Sequence, residues 1–292
     1  MTDAMLPTFF VIGAEKAGTT WLYEILSRHP DIFLPETKEL SYFNQLDSNL
    51  KVSDYFTQLK RSWYEDFFAA RRTENAVGDI SPMYLCDEAA PRRIADTVPG
   101  AKLIAILRDP VERAASHYWM AHNKRHIAES LAETIARRHD AVIKRGLYGR
   151  QLTRYLECFP RSQILILVFE EAMADRERAL AAICRFIGVD PSAQPEEGLE
   201  EASNPATAYR WPWLYNASVG VATALRQAPL LSWIPRLLKK AGFNKLVKNA
   251  NAVDFSKPPL TEEQRRDLRD YYAPDRECLE ALMGRKIYVW PT

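Results

Sequence analysis

Cysteine is scarce in this sequence and widely spaced. Its 292 residues include only Cys86, Cys158, Cys184 and Cys278, and no two of them form a CxxC pair. Such spacing argues against a zinc site and against a disulfide framework. Reduced cysteines of this kind are typical of cytosolic proteins, so the sequence predicts a cytoplasmic location and no metal ion.

Long apolar runs and an excess of one charge are also missing. The 39 lysines and arginines nearly balance the 38 aspartates and glutamates, which leaves a formal charge of +1. No global field therefore attracts nucleic acid, and any anion site must be local. No apolar stretch reaches the ~20 residues of a membrane span, and the short run near the start lacks the basic flank of a signal peptide. We expect no nucleic-acid partner and no membrane span.

Apolar β-rich runs alternate with helical patterns along the chain. The runs are Phe9–Ile12, 76–80, 101–107 and 163–169. Strands that alternate with helices predict an α/β fold with a mostly parallel central sheet flanked by helices. In such a sheet, ligands bind at the carboxyl ends of the strands.

We expect the whole chain, residues 1–292, to form one domain. Within it, residues 51–70 have helical periodicity and many aromatics, which predicts a helical layer on the sheet. Residues 205–257 are atypical and predict a helical insertion or lid. The segment Thr261–Met283 predicts a closing helix pair, which begins with the capping-box sequence TEEQ.

The stretch FFVIGAEKAGTTW, residues 9–21, joins the first predicted strand to a helix through a tight loop. This junction directs backbone N–H groups and the positive end of a helix dipole at one point, which favours phosphate or sulfate. Gly13 and Gly18 let the backbone approach an anion, and Thr19 and Thr20 can cap the helix. The sequence therefore predicts an anion site at this loop.

The lysine of this loop lies in an unusual place. The nucleotide P-loop, GxxxxGK[ST], has its lysine directly after the second glycine. Here Thr19 follows Gly18, and Lys16 lies two residues before it. This spacing argues against a kinase or GTPase. An ordinary strand-to-helix turn with an incidental lysine is the simplest alternative.

The loop resembles the 5'-phosphosulfate loop of sulfotransferases that use 3'-phosphoadenosine-5'-phosphosulfate (PAPS). A second stretch, LRDPVERAASHY at 107–118, is similar to the 3'-phosphate motif of that family, with Arg108 at a strand end and Ser116 eight residues later. The resemblance covers most of the chain. It implies a P-loop-like three-layer fold and PAPS as co-substrate without a metal ion.

The resemblance also implies a role for individual residues. Lys16 would stabilise the bridging oxygen, the paired threonines would hold the 5'-phosphate, and two aromatic rings would stack on adenine. From the residues alone, each of those aromatics fits a core position better than a ligand contact. The implied donor-binding residues are Gly13, Ala17, Gly18, Thr19, Thr20, Trp21, Arg108, Ser116 and Phe169.

Glu39 is the candidate catalytic base. It lies in KELSYF, residues 38–43, which resembles the KE-x-x-[FY]-F motif of glycosaminoglycan-type sulfotransferases. The chain is therefore closer to the glycosaminoglycan and bacterial type than to the cytosolic type. His117 is a rival base by chemistry, but its place beside Ser116 on a helix favours a structural role.

The sequence departs from the saccharide-type pattern at several positions. Ser41 replaces a frequent histidine, Asn44 an acidic residue, and Ile80 a lysine that contacts substrate, which argues against a heparan-like acceptor. We also find no clear C-terminal lysine-glycine loop to complete the 3'-phosphate site. The candidates to replace it are Arg210, Lys248 and Lys257.

These observations predict a sulfotransferase that acts on a hydroxyl, less often an amine, of a small-molecule or saccharide acceptor. A homodimer is compatible with the sequence. Two other classes stay open: a nucleotide-dependent kinase of P-loop type, and a non-catalytic interaction protein that binds the nucleotide.

Overall fold

The structure is a computed structural model that describes residues 6–124, 126–195 and 258–291, together with two short strands at 207–209 and 252–254. Its centre is a five-stranded sheet with the order β2-β3-β1-β4-β5. All four strand pairs are parallel, as the sequence predicts. The strands are β1 Phe9–Gly13, β2 Ile32–Phe33, β3 Ala76–Ile80, β4 Lys102–Leu107 and β5 Ile164–Val168.

Helices cover both faces of this sheet. The described helices, numbered in chain order, are α1 Thr19–Leu26, α2 Tyr55–Gln58, α3 Arg61–Glu65, α4 Ala90–Thr97, α5 Pro110–Asn123, α6 Leu131–Ala136, α7 Tyr148–Leu156, α8 Phe169–Ala174, α9 Arg176–Ile187 and α10 Glu262–Met283. Because side chains alternate along a strand, Phe9 and Val11 pack in the layer of α1 and α9, whereas Phe10 and Ile12 pack in the layer of α4 and α7. The result is the three-layer α/β architecture.

The strand order creates a crevice beside β1. This strand lies between β3 and β4, so the chain leaves β1 toward β2 on one side and later returns to β4 on the other. At such a switch point, the loops at the carboxyl ends diverge and leave room for a ligand. The predicted anion loop follows β1, and Arg108 follows β4.

The helical layer predicted at 51–70 is confirmed, whereas the prediction for 261–283 needs correction. The segment 51–70 forms two short helices and a 3₁₀ turn, because Leu59 and Lys60 between them are extended. The predicted helix pair at 261–283 is wrong, since α10 runs unbroken through Pro274. The cost of the proline is offset by packing on α7, where the Asp275 carboxylate accepts the backbone N–H groups of Gly149 and Arg150, both at 2.8 Å.

Most of the predicted insertion at 205–257 lies outside the described residues. Its two described segments are β6 Thr207–Tyr209 and β7 Ala252–Asp254, which pair antiparallel. The capping box at Thr261 is present as predicted, with Gln264 as its reciprocal partner. Across the part of the chain that the structure describes, no helix is both long and apolar enough for a membrane span.

Close contact between α7 and α10 predicts that Gly149→Ala is destabilising. A Cβ at Gly149 would lie 2.5 Å from the carbonyl oxygen of Asp275 and 3.0 Å from the backbone nitrogen of Leu279. Since both atoms are backbone, one helix must move, and we expect the free energy of unfolding to fall by about 1–3 kcal/mol. Urea unfolding followed by fluorescence measures this change.

Gly100→Ala is the matched control. A Cβ at Gly100 meets nothing within 4 Å. Its free energy of unfolding should stay within about 0.5 kcal/mol of the parent value. Equal unfolding midpoints for the two variants would contradict the close approach of the helices.

Candidate functional site

Gly18 shapes the loop between β1 and α1. It is the N-cap of α1 and has a φ of 88°, in the left-handed region that favours glycine. A Cβ at this position would lie 2.7 Å from the ring of Phe169, so this ring lies directly against the loop. Phe169 begins α8 rather than ending β5. The structure therefore joins two residues that are 151 positions apart in the sequence.

The N-cap of α1 is Gly18, which has no side chain that could cap the first N–H groups. The prediction that Thr19 or Thr20 caps this helix is wrong, because α1 begins at Thr19 and both hydroxyls lie within its first turn. No cap side chain occupies the first N–H groups of α1, which is the arrangement that binds an anion at a helix N-terminus.

Lys16 and Arg108 meet at the crevice beside β1. The Arg108 Nη1 lies 3.5 Å from the carbonyl oxygen of Lys16, and its guanidinium lies 5.5 Å from the centre of the Phe169 ring. The Lys16 ammonium lies 3.5 Å from the sulfur of Met120 on α5. The Arg108 guanidinium thus contacts the backbone of the loop that carries Lys16.

The backbone around Arg108 is held at both sides. The Asp109 side chain accepts the N–H of Val111 at 2.8 Å and caps α5, while the Asp109 N–H donates to Glu170 at 3.0 Å. Burial raises the pKa of the Asp109 carboxyl. The Arg108 Nε is buried and has no hydrogen-bond partner among the described residues. This N–H is therefore a donor that a bound anion can satisfy.

Other predicted donor-binding residues are buried around the same loop. Ala17 is buried, and its N–H donates to the carbonyl of Ala14 at 3.2 Å. Trp21 is 4% exposed, and its indole Nε1 has no partner in the described ranges. Ser116 is buried on the second turn of α5. Gly13 ends β1. Trp21 therefore belongs to the core as well as to the surroundings of the loop.

Glu39 lies beside the start of α1. It has a φ of 62°, and its N–H donates to the Ile80 carbonyl at 3.1 Å. The Lys38 ammonium lies 2.6 Å from the Glu39 carboxylate and 3.2 Å from the Thr20 hydroxyl. One lysine thus links the candidate base to the anion loop. Sequence reasoning assigned no role to Lys38, although it precedes Glu39 in the quoted motif.

An ion pair between Glu15 and Arg145 links the loop to the turn before α7. The Glu15 carboxylate accepts Arg145 Nη1 at 2.9 Å, and Arg145 also donates to the carbonyls of Asp47 and Ser48. The same carboxylate lies 3.5 Å from Nδ1 of His117. Arg145 carried no signal in the sequence, because it lies 130 positions from Glu15.

His117 is buried in this cluster. Burial, together with the nearby charges of Arg113, Arg145 and Lys16, holds the pKa of His117 well below its ordinary value. The ring is therefore neutral near pH 7. Its 2% exposure supports a structural role rather than that of a base for an incoming substrate.

The remaining sequence predictions concern the rest of the 3'-phosphate site and the metal ion. The alternatives for the 3'-phosphate site, Arg210, Lys248 and Lys257, lie outside the described residues. In the ranges that the structure does describe, no group of three or more histidine, cysteine, aspartate or glutamate side chains has the arrangement of a metal site.

Comparison with known proteins identifies the relatives of this chain. A model described as the sulfotransferase family matches residues 7–193. The bifunctional heparan sulfate N-deacetylase/N-sulfotransferase 4 of Mus musculus is 33% identical over 216 residues, which are 66% of this chain and 24% of that protein. The chain thus spans about a quarter of the length of this relative.

Two further relatives extend over nearly the whole chain. Heparan sulfate glucosamine 3-O-sulfotransferase 3B1 of Mus musculus is 25% identical over 292 residues, which are 96% of this chain and 64% of that protein. The crystal structure of a sulfotransferase from Alicyclobacillus acidocaldarius superposes with a TM-score of 0.69 and 25% identity, and covers 98% of each chain.

The buried, neutral His117 predicts a pH dependence of stability. The unfolded chain takes up a proton on this histidine near pH ~6.5, whereas the folded chain does so only at lower pH. Between these two pKa values the unfolded state binds more protons, so the free energy of unfolding falls as the pH falls.

His117→Asn should remove this contribution. The slope of the unfolding free energy between about pH 7 and pH 5 should decrease by up to ~1.4 kcal/mol per pH unit. Urea unfolding at several pH values measures it. Parallel pH curves for the variant and the parent would contradict a depressed pKa.

Proposed function

The chain belongs to the sulfotransferase family, and on that premise we propose that it transfers the sulfuryl group of PAPS to a hydroxyl, less often an amine, of a small-molecule or saccharide acceptor. The observation that carries the proposal is the contact of the Arg108 guanidinium with the backbone of the Lys16 loop, beside Gly18 and Phe169. The donor has anionic groups at its 5' and its 3' end, and the two motifs that meet here each bring one cationic residue.

The residues present fit the donor. The buried Nε of Arg108 lacks a partner among the described side chains, and a guanidinium can bind phosphate through two N–H groups. At the other end, the uncapped start of α1 offers backbone N–H groups and its dipole to a phosphate. We assign Arg108 and Ser116 to the 3'-phosphate, the loop from Gly13 to Thr20 to the 5'-phosphate, and Trp21 and Phe169 to the adenine.

Charge stabilisation and proton transfer are divided between two residues in this proposal. The donor, when bound, supplies the sulfuryl group. An acceptor oxygen forms a bond to sulfur while the bond from sulfur to the bridging oxygen breaks. Lys16 stabilises the negative charge that develops on that bridging oxygen. Glu39 accepts the proton of the acceptor hydroxyl. The products are a sulfate ester and adenosine 3',5'-bisphosphate.

Two residue replacements bear on the proposed acceptor. Ile80 and Asn44 replace charged residues of the saccharide-type motif, and both are buried here. The Asn44 amide donates to the Leu46 carbonyl at 2.7 Å, so it serves the local fold. The relatives named for heparan sulfate support a saccharide, whereas Ile80 in place of a lysine favours an acceptor with fewer anionic groups.

Substrate preference separates this proposal from its alternatives. Adenosine 3',5'-bisphosphate should raise the thermal midpoint of the protein more than ATP with Mg²⁺, whereas a kinase would show the reverse. Labelled PAPS offered with 4-nitrophenol, a primary alcohol and a glucosamine oligosaccharide tests for transfer. Binding without transfer would favour a non-catalytic protein.

The single domain over 1–292, the homodimer and the cytoplasmic location stay predictions of the sequence.

Substitution of the two cations should have different effects. Lys16→Ala should lower kcat by about 10²- to 10³-fold with the bisphosphate still bound, because Lys16 acts on charge that develops during transfer. Arg108→Ala should instead raise the Kd for adenosine 3',5'-bisphosphate by about 10- to 100-fold, since it removes charged hydrogen bonds to a phosphate. Transfer assays and calorimetry measure these effects.

Lys60→Ala, at an exposed position, is the control for loss of one positive charge. It should leave both kcat and Kd unchanged. A Lys16→Ala enzyme with the parent kcat would refute the role assigned to Lys16.

Loss of the proposed base should reduce the rate without loss of donor binding. Glu39→Gln should lower kcat by about 10²- to 10⁴-fold, because the amide cannot accept the acceptor proton. The Kd for adenosine 3',5'-bisphosphate should stay at the parent value. Glu24→Gln, on the exposed face of α1, is the control for loss of one carboxylate. An unchanged kcat in Glu39→Gln would place the base elsewhere.

A further inference from the structure

A buried carboxylate lies at the end of β3, next to the strand that leads into the anion loop. Asp79 is fully buried, and it accepts three hydroxyl groups. Ser81 donates to Oδ1 at 2.7 Å, while Tyr64 and Tyr84 each donate to Oδ2 at 2.8 Å. No lysine or arginine of the described residues forms an ion pair with it. Hydroxyl groups thus take the place of a cationic partner.

Burial raises the pKa of the Asp79 carboxyl, although the three hydroxyl donors oppose that shift. The negative charge of Glu39 raises it further. Without a cation, the buried carboxylate depends on these three hydrogen bonds to offset the loss of water.

Two of the three hydroxyl groups also hold the loop that carries Glu39. The Ser81 hydroxyl accepts the N–H of Ser41 at 3.2 Å, and the Tyr84 hydroxyl accepts the N–H of Tyr42 at 3.0 Å. A hydroxyl has one proton, and both hydroxyls give theirs to Asp79. Their lone pairs are consequently directed at the backbone of the Glu39 loop.

The loop needs this support because its backbone is strained. Glu39 has a φ of 62° and Ser41 a φ of 53°, values that residues other than glycine seldom adopt. Such conformations persist only where surrounding contacts hold them, and they concentrate at functional sites. Here the backbone N–H groups of the loop donate to the hydroxyls of Ser81 and Tyr84 and to the carbonyl of Ile80.

We propose that Asp79 is a positioning residue for Glu39, and that it acts through the hydroxyls of Ser81 and Tyr84. The inference rests on the proposed role of Glu39 as base. Asp79 fixes the direction of the two hydroxyl protons, the hydroxyls fix the strained loop, and the loop holds the Glu39 carboxylate near the start of α1. If the chain of contacts is broken, Glu39 loses its position without loss of donor binding.

Tyr84→Phe and Tyr64→Phe form a matched pair for the test. Each removes one 2.8 Å hydrogen bond to the same oxygen of Asp79 from a fully buried tyrosine. Only Tyr84 also accepts the N–H of Tyr42. Tyr84→Phe should therefore lose more thermal stability, because it also leaves the buried N–H of Tyr42 without an acceptor, and only this variant should lower the rate. Transfer is measured with labelled PAPS and whichever of the three test acceptors reacts fastest.

We expect Tyr84→Phe to lower kcat by about 10-fold, as a small displacement of a catalytic group does, and Tyr64→Phe to change it by less than about 2-fold. The Kd for adenosine 3',5'-bisphosphate should be unchanged in both. Ser81→Ala, which frees the N–H of Ser41, should also lower kcat, and it replaces Tyr84→Phe if that variant does not fold. Equal rates in Tyr84→Phe and Tyr64→Phe would overturn the inference.

A double variant separates this inference from the proposed function. If Tyr84 acts through Glu39, Tyr84→Phe should have less than about a 2-fold effect in a Glu39→Gln background. A full additional loss in that background would also overturn the inference. If Glu39→Gln alone retains the parent kcat, the proposed base itself is wrong. If Glu39→Gln is slow but the two tyrosine variants are equal, only the role of Asp79 fails.

Discussion

The parallel pairing of β1 with β4 is the contact on which the candidate site depends. Val11 pairs with Ile104 and Gly13 with Ala105, so the two strands end side by side, with an irregularity in β1 just before its end. Because parallel strands share one carboxyl edge, the loop with Lys16 and the residue Arg108 leave the sheet as neighbours. Phe169 leaves the next strand and completes the group against Gly18.

The opposite neighbour of β1 supplies the other half of the site. β3 ends at Ile80, whose carbonyl holds the N–H of Glu39, and Asp79 beside it orders the hydroxyls that support this loop. The central strand therefore lies between β4, which leads into Arg108, and β3, whose last carbonyl holds the backbone of Glu39. In the proposed reaction, this edge of the sheet would set the separation between charge stabilisation and proton transfer. Lys38, which contacts both Thr20 and Glu39, connects the two halves.

Local patterns predicted more of the fold than of the site. The β-rich runs became strands within a residue or so of their predicted limits, since a buried parallel strand is a continuous apolar run. Two predictions were wrong: that the paired threonines cap α1, and that residues 261–283 form two helices. The first depends on where a helix starts, and the second on packing that compensates Pro274. Neither the first residue of a helix nor such packing can be read from helix propensity alone.

By itself, the sequence determined the α/β class and the parallel sheet, because periodicity is a property of neighbouring residues. Its resemblance to sulfotransferases then identified Lys16, Arg108 and Glu39 as candidates. Tertiary structure alone decided the strand order, the burial of His117 beside Glu15 and Arg145, and the hydroxyl contacts of Asp79. These features join residues that lie far apart along the chain, and a hydrogen bond or a desolvated charge exists only once folding has brought its partners together.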